Sequence, residues 1–351
     1  MKVAIIGAGA SGLMLATLLE KNKIEYDIYN KGKVGRKILA SGNGKCNISN
    51  ANIDAKYYHN NPLAKSLIND YKNELYKYLE ELEIYTKTDS EGRMYPISES
   101  SLSVLNILLK HIKRPILDEE VKTIKKINSK YKINNNDKLY DHIVISTGTI
   151  ANMNKPYYSY DYINDLGIKF NKFIPSLIGF KTNLRIKEIS GTRLKCMASL
   201  YQNNKLIHKE DGEVMFKDDG ISGICIMNLS SYFNDYKFLN SYIKLKLDVS
   251  KYRSLESVLQ PKLYQYVINN NIDINNFIIP IKGLYDMQFA QVCKGGIDIS
   301  EINNNLSLKK DPNIFVAGEI IDVDATCGGF NLSFAFMCAL KIAGELKWNM
   351  K

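Results

Sequence analysis

The chain has 351 residues, 45% hydrophobic and 24% charged, with a formal net charge of +10. That length holds two domains, or one large domain with an insertion, around a substantial core. The composition is that of a globular protein, and no apolar run approaches the roughly 18 residues of a membrane span. Lysine-rich charge would suit a polyanion, but only six of the 47 basic residues are Arg. The lysines are also dispersed among Asn, Ile and Tyr, so the charge reads as a compositional bias and nucleic acid is not expected as a partner. Six cysteines, Cys46, Cys196, Cys225, Cys293, Cys327 and Cys338, form no C-x-x-C pair. They predict a reducing compartment without disulfides or zinc, and no secretory signal is visible at the N-terminus, so a cytoplasmic protein is expected.

The apolar run Val3-Ala4-Ile5-Ile6 begins at once and leads into Gly7-Ala8-Gly9-Ala10-Ser11-Gly12. Leu15, Leu18 and Leu19 follow at helical spacing over 13–22, which gives the order strand, G-x-G-x-x-G turn, helix. In such a turn Gly7 allows the tight bend, Gly9 admits a pyrophosphate to the backbone, and Gly12 lets helix and strand pack closely. The helix N-terminus offers unpaired N–H groups to the phosphates. A second strand over 26–29 is followed by Asn30, where a dinucleotide fold usually has an acid for the ribose hydroxyls. Next comes GRKILASGNGKCNIS at 35–49, with Gly35, Gly42 and Gly44 among the cations Arg36, Lys37 and Lys45 and the small polar residues Ser41, Asn43 and Asn47. Such a loop can wrap an anion and turn its N–H groups to a flat ring. Cys46, alone in this loop, is read as packing against the ring rather than as a redox thiol.

Helices are predicted over 66–82 and 101–112, with 91–98 as a loop whose Ser98 caps the second of them. Short alternating runs over 118–145 predict an antiparallel meander. It ends in the apolar strand 142–145, whose small tip Ser146-Thr147-Gly148 returns to the parallel sheet. From 175 to 292 the pattern changes to strand-like runs, such as 177–184 and 243–247, with a helix over 255–269. We read this stretch as an inserted domain. A sheet-like run then ends in Ala317-Gly318-Glu319, and Gly328-Gly329 precede a helix over 332–348. Glu319 at a strand end can accept from a polyol, and the helix N-terminus can face the pyrimidine edge of a flavin. The three glycine-rich blocks together predict a bound flavin dinucleotide.

At these residues a resemblance is clear. GAGASG, GRKILASGNGKCNISN, GRMYPIS, GEVMFKDDGISG and AGEIIDVDATCGGFNLSFAF resemble the bacterial flavoprotein family that includes aminoacetone oxidases and bile-acid enone reductases. The matches spread over nearly the whole chain. The resemblance implies an α/β, Rossmann-like FAD-binding domain made of residues 1–174 and 293–351, a parallel sheet with helices and a small β-meander. The inserted β-rich domain, 175–292, carries a short helical portion. It also implies noncovalent FAD; NAD(P)H is the expected electron donor if the enzyme is a reductase.

Carried over by position, the resemblance assigns the phosphates to Gly7, Gly9, Ala10, Ser11 and Gly12, and the ribose to Asn30. Arg36, Lys37, Ser41, Gly42, Gly44, Cys46 and Asn47 would run along the diphosphate and flavin. Val121 would meet adenine through its backbone, with Thr147 and Gly148 near the ribose. Gly318, Glu319 and Asp322 would face the ribityl chain, and Gly329, Asn331 and Leu332 the ring. Asn30, Asn43 and Lys45 depart from the family's acid, glycine and arginine, and the insert between 230 and 280 is short.

The expected activity is hydride transfer between flavin N5 and a small organic substrate held between the FAD and inserted domains. No His lies in either flavin block, which leaves solvent, Tyr95 or Asp324 for proton transfer with none chosen. Two rivals remain: a basic flavin-containing RNA-binding or sensory protein without turnover, and a fold that holds NAD alone. The second glycine block argues against the latter.

Overall fold

A computed structural model describes residues 1–156, 159–233, 238, 240–250 and 252–348. The chain folds as two compact units, one made of Met1–Ile150, Lys155–Phe173 and Lys294–Lys351, the other of Ala151–Asn154 and Ile174–Cys293.

In the first unit five parallel strands lie in the order Ile314–Val316, His142–Ile145, Lys2–Ile6, Glu25–Asn30, Ile116–Asp118. The first, second, fourth and last strands in chain order are buried almost throughout, as strands covered on both faces must be. This is why they read as continuous apolar runs. The helices Ala10–Lys21 and Phe330–Trp348 pack on one another and feed the same core. Two small antiparallel sheets also belong to the unit. One joins Ser49–Asn50, Arg93–Pro96 and Thr86–Thr88, and the other is the meander Ile124–Ile127, Lys130–Ile133, Leu139–Tyr140.

Several sequence expectations need correction. The helix expected from 66 is Pro62–Glu81, because Asn61 accepts from Leu63 N and Ala64 N and Pro62 needs no donor in the first turn. The cap of Ser101–Lys110 is Ser100, whose hydroxyl accepts from Ser103 N, and not Ser98. The expected loop 91–98 contains the strand Arg93–Pro96, which forms a hairpin with the adjacent Thr86–Thr88 and pairs on its other side with the more distant Ser49–Asn50.

The second unit is a seven-stranded antiparallel sheet in the order Phe277–Pro280, Ser241–Lys246, Arg193–Gln202, Lys205–Lys217, Gly220–Ser222, Phe180–Lys181, Gly283–Leu284. Its core takes the alternate residues Leu194, Cys196, Ala198, Leu200, Ile243 and Leu245, with Leu229 and Leu263 from the helices Ile224–Ser231 and Pro261–Asn269. The run 177–184 is strand only at Phe180–Lys181, and the helix expected over 255–269 begins at Pro261. Among the described residues no helix is long and apolar enough to cross a membrane.

Candidate cofactor site

The turn after the first strand separates its three glycines by what surrounds them. A Cβ on Gly7, at φ +107°, would stand 2.6 Å from the Ser146 carbonyl oxygen, and one on Gly12 would stand 2.0 Å from the Gly7 carbonyl oxygen. Both glycines are demanded by the protein's own packing. Gly9 is not: its φ is −88°, and a Cβ there would meet nothing nearer than 3.9 Å. The space over Gly9 lies at the N-terminus of Ala10–Lys21, which no side chain caps. Open space, uncapped N–H groups and a positive dipole end fit an anionic diphosphate.

Neighbouring segments brace this turn. Asn30 Oδ1 accepts from Ala8 N at 2.9 Å, Gly35 N donates to Ala8 O at 2.9 Å, and Ser11 Oγ donates to Ala317 O at 3.3 Å. Asn30 therefore holds the glycine turn, work that an unprotonated carboxylate in its place could also do. Gly318, at φ +75°, sits so close to Ser11 that a Cβ would come within 2.7 Å of its hydroxyl.

Gly7, Asn30, Val121 and Thr147 line one cleft at the carboxyl ends of the parallel strands, the edge where open α/β sheets bind nucleotides. Glu120 and Tyr162 share it. Glu120 accepts from Ser159 N at 2.9 Å, and Tyr162 OH lies 3.3 Å from Thr147 Oγ1. Sequence reasoning missed both, since neither belongs to a spaced motif. Gly148, at φ +67°, has nothing within 4 Å of a would-be Cβ.

The glycine-rich blocks 35–49 and 318–336, the first and second of the flavin blocks, meet directly. With its amide oriented by its partners, Asn47 donates to Ser49 O at 3.0 Å and accepts from Gly329 N at 3.1 Å. Asn50 Nδ2 donates to Gly328 O at 3.1 Å, and Ser333 Oγ donates to the Ser49 hydroxyl at 2.7 Å. Gly329, at φ +92°, could not carry a Cβ, which would fall 2.4 Å from Ser49 O. Lys37 Nζ binds both Glu319 Oε2 and Thr149 Oγ1, so the first block is ion-paired to the turn after the last parallel strand. Arg36 opens the short helix Arg36–Ala40 beside Lys37.

In the first block Ser41 Oγ donates to Ile38 O at 2.7 Å, while Gly42 and Asn43 are both left-handed, at φ 57° and 53°. Asn tolerates that conformation better than other side chains, which explains how it stands where a glycine was expected. Gly44, at φ +86°, faces open space. Lys45 pairs with Glu99 at 2.9 Å. Cys46 is fully buried, and burial pushes its thiol up to about 11, so it is packing and not a thiolate.

Two further expected contacts are also committed to the protein itself. Asp322 accepts from Gly295 N at 2.7 Å and Asn171 Nδ2 at 2.8 Å, and Asn331 spends both ends of its amide on Ala325, at 2.9 and 3.0 Å. Each shapes the 322–331 loop; the first-turn N–H groups of Asn331 and Leu332 have no intrahelical carbonyl to bond. The absence of His from both blocks is misleading, because His59 Nε2 lies 3.7 Å from Asp324 Oδ1. His59 is itself left-handed, at φ 54°. Lys294 adds a third group: burial lowers its ammonium pKa, against the pull of Asp324 and Asp322.

A parallel sheet with this first turn, joined to the glycine block 318–336 at a helix N-terminus, defines a Rossmann fold of the dinucleotide-binding class. The chain belongs to the family described as HI0933-like protein Rossmann domain, whose model matches residues 1–345. It is 22% identical to the 3-dehydro-bile acid delta(4,6)-reductase of Clostridium scindens over 95% of this chain and 96% of that protein. It is 24% identical to the ribosomal RNA dihydrouridine synthase of Haemophilus influenzae over 97% and 98%. Among solved structures, the open conformation of a flavocytochrome c3 fumarate reductase superposes with a TM-score of 0.53 at 12% identity, over 99% of this chain and 78% of that one. That last likeness concerns the fold.

Proposed function

We propose that this protein holds FAD noncovalently and reduces a carbon–carbon double bond conjugated to a carbonyl, drawing electrons from NADH or NADPH. The observation that carries the cofactor reading is Gly9, a glycine its own protein does not need, set at an uncapped helix N-terminus. The substrate class is supported by the relatives' names. A 3-dehydro bile acid unsaturated at carbons 4 and 6, and a uridine turned into dihydrouridine, both lose a double bond conjugated to a carbonyl.

Bound FAD supplies hydride transfer at its N5. The chain does the rest. Gly9 and the first-turn N–H groups bind the diphosphate, and Asn30 and Gly35 keep that turn in shape through Ala8. Asn47 fixes Gly329, so that the positive end of the helix Phe330–Trp348 is presented at the second block. His59 Nε2, with Asp324 beside it, holds the proton that the substrate's α-carbon needs once the β-carbon has taken hydride.

The test is an absorption spectrum followed anaerobically through addition of NADH, then NADPH, then a series of cyclic enones. We expect yellow protein that bleaches with a nicotinamide and regains its colour with an enone. Protein that cannot be reconstituted with FAD, or reduced flavin that no conjugated carbonyl reoxidises, would overturn the reading. His59→Gln should leave the bleaching step intact and slow the return of colour about 100-fold.

A further inference from the structure

We infer that the open face of the seven-stranded sheet in the second unit is a docking surface for single-stranded RNA. Alternation along a strand sends every second side chain to the same face. In Arg193–Gln202 the inward set is Leu194, Cys196, Ala198 and Leu200. The outward set is Arg193, Lys195, Met197, Ser199 and Tyr201. The register then gathers basic residues that are scattered in sequence: Lys209 and Lys244 flank Ser199 from either side, and Lys246 lies opposite Met197. Tyr201 faces Tyr242, with ring centroids 4.9 Å apart and planes within 9°.

The face carries Asp211 and Glu213 as well, but Glu213 is taken by Arg193 at 2.7 Å. Lys195, Lys209, Lys244 and Lys246 form no ion pair among the described residues, and the register sets all four on this one face. Four unpaired lysines beside a tyrosine pair suit a chain of phosphates with bases that stack, the combination used by single-strand-binding surfaces. The inference rests on the reductase reading, since a uracil ring is one substrate with a double bond conjugated to a carbonyl.

Binding of a short, labelled, uridine-rich RNA, followed by anisotropy across a salt series, tests it. The variant K209A/K244A/K246A is compared with K23A/K65A/K77A, which removes the same charge from exposed lysines of the first unit. We expect the sheet variant to bind at least tenfold more weakly, with a log–log salt slope smaller by about 2, each lost phosphate contact on a single strand being worth about 0.7. The control should stay within about twofold, and Tyr242→Ala should lose about tenfold. Wild-type protein that ignores RNA at low salt, or equal losses in both triple variants, would overturn the inference. Enone reduction measured on the same samples separates the two failures: enone turnover without RNA binding removes the docking surface alone, and RNA binding without any flavin removes the reductase reading alone.

Discussion

The five parallel strands of the first unit and the seven antiparallel strands of the second use their faces differently. Ile5, Ile28, Val144 and Val316 are closed off from solvent, so the parallel sheet offers only its strand ends. There the Gly7, Asn30, Val121 and Thr147 cleft forms. The antiparallel sheet is covered on one face, by Leu229, Leu263 and their neighbours, and leaves Lys195, Lys209 and Lys246 exposed on the other. A sheet buried on both sides makes a narrow site for an extended small ligand; a sheet buried on one side makes a broad surface.

Gly12→Val should have the largest effect on that contrast. Its Cβ would meet the Gly7 carbonyl oxygen at 2.0 Å, so the first helix and strand must part, costing about 3 kcal/mol or more and abolishing flavin retention. Thermal melts and flavin absorbance check both, with unchanged melting sinking the claim. Gly329→Ala comes next. Its positive φ and the 2.4 Å approach to Ser49 O should cost about 2 kcal/mol and loosen the junction between the two flavin blocks.

Asp27 gives a smaller and pH-dependent effect. Burial opposes its charge, but hydrogen bonds from Tyr140 and Lys138 and the charges of Lys2 and Lys138 win, holding the carboxyl below its usual range. A depressed folded-state pKa stabilises above the unfolded value of about 3.9 and is lost as pH falls through the folded value. Asp27→Asn should therefore cost about 1–2 kcal/mol at neutral pH, and the gap to wild type should close below about pH 4. A gap that widens in acid would contradict this. On the open sheet, Tyr242→Ala should cost the fold less than about 1 kcal/mol, the usual worth of a cross-strand aromatic pair. A larger loss in urea titration would mean that the face is structural.

The same contrast explains what could be read from the sequence. The strands Lys2–Ile6 and His142–Ile145 are buried almost throughout and announce themselves as apolar runs, and the glycine turn carries its own spacing. The Asn47–Gly329 bond, the Asn50–Gly328 bond and the His59–Asp324 approach join residues more than 250 positions apart, which no local pattern records. The cap falls on Ser100 and not on the expected Ser98, because capping depends on which hydroxyl reaches Ser103 N. The lysine cluster was dispersed along the chain until strand register assembled it.

The central claim is that space above Gly9 is kept for a diphosphate. Gly9→Val puts a side chain into that space with its Cβ no nearer than 3.9 Å to the protein, so the variant should melt like wild type and be purified colourless, with FAD affinity lowered at least 100-fold in a fluorescence titration. A Gly9→Val protein that remains yellow and binds FAD as wild type does would contradict the account.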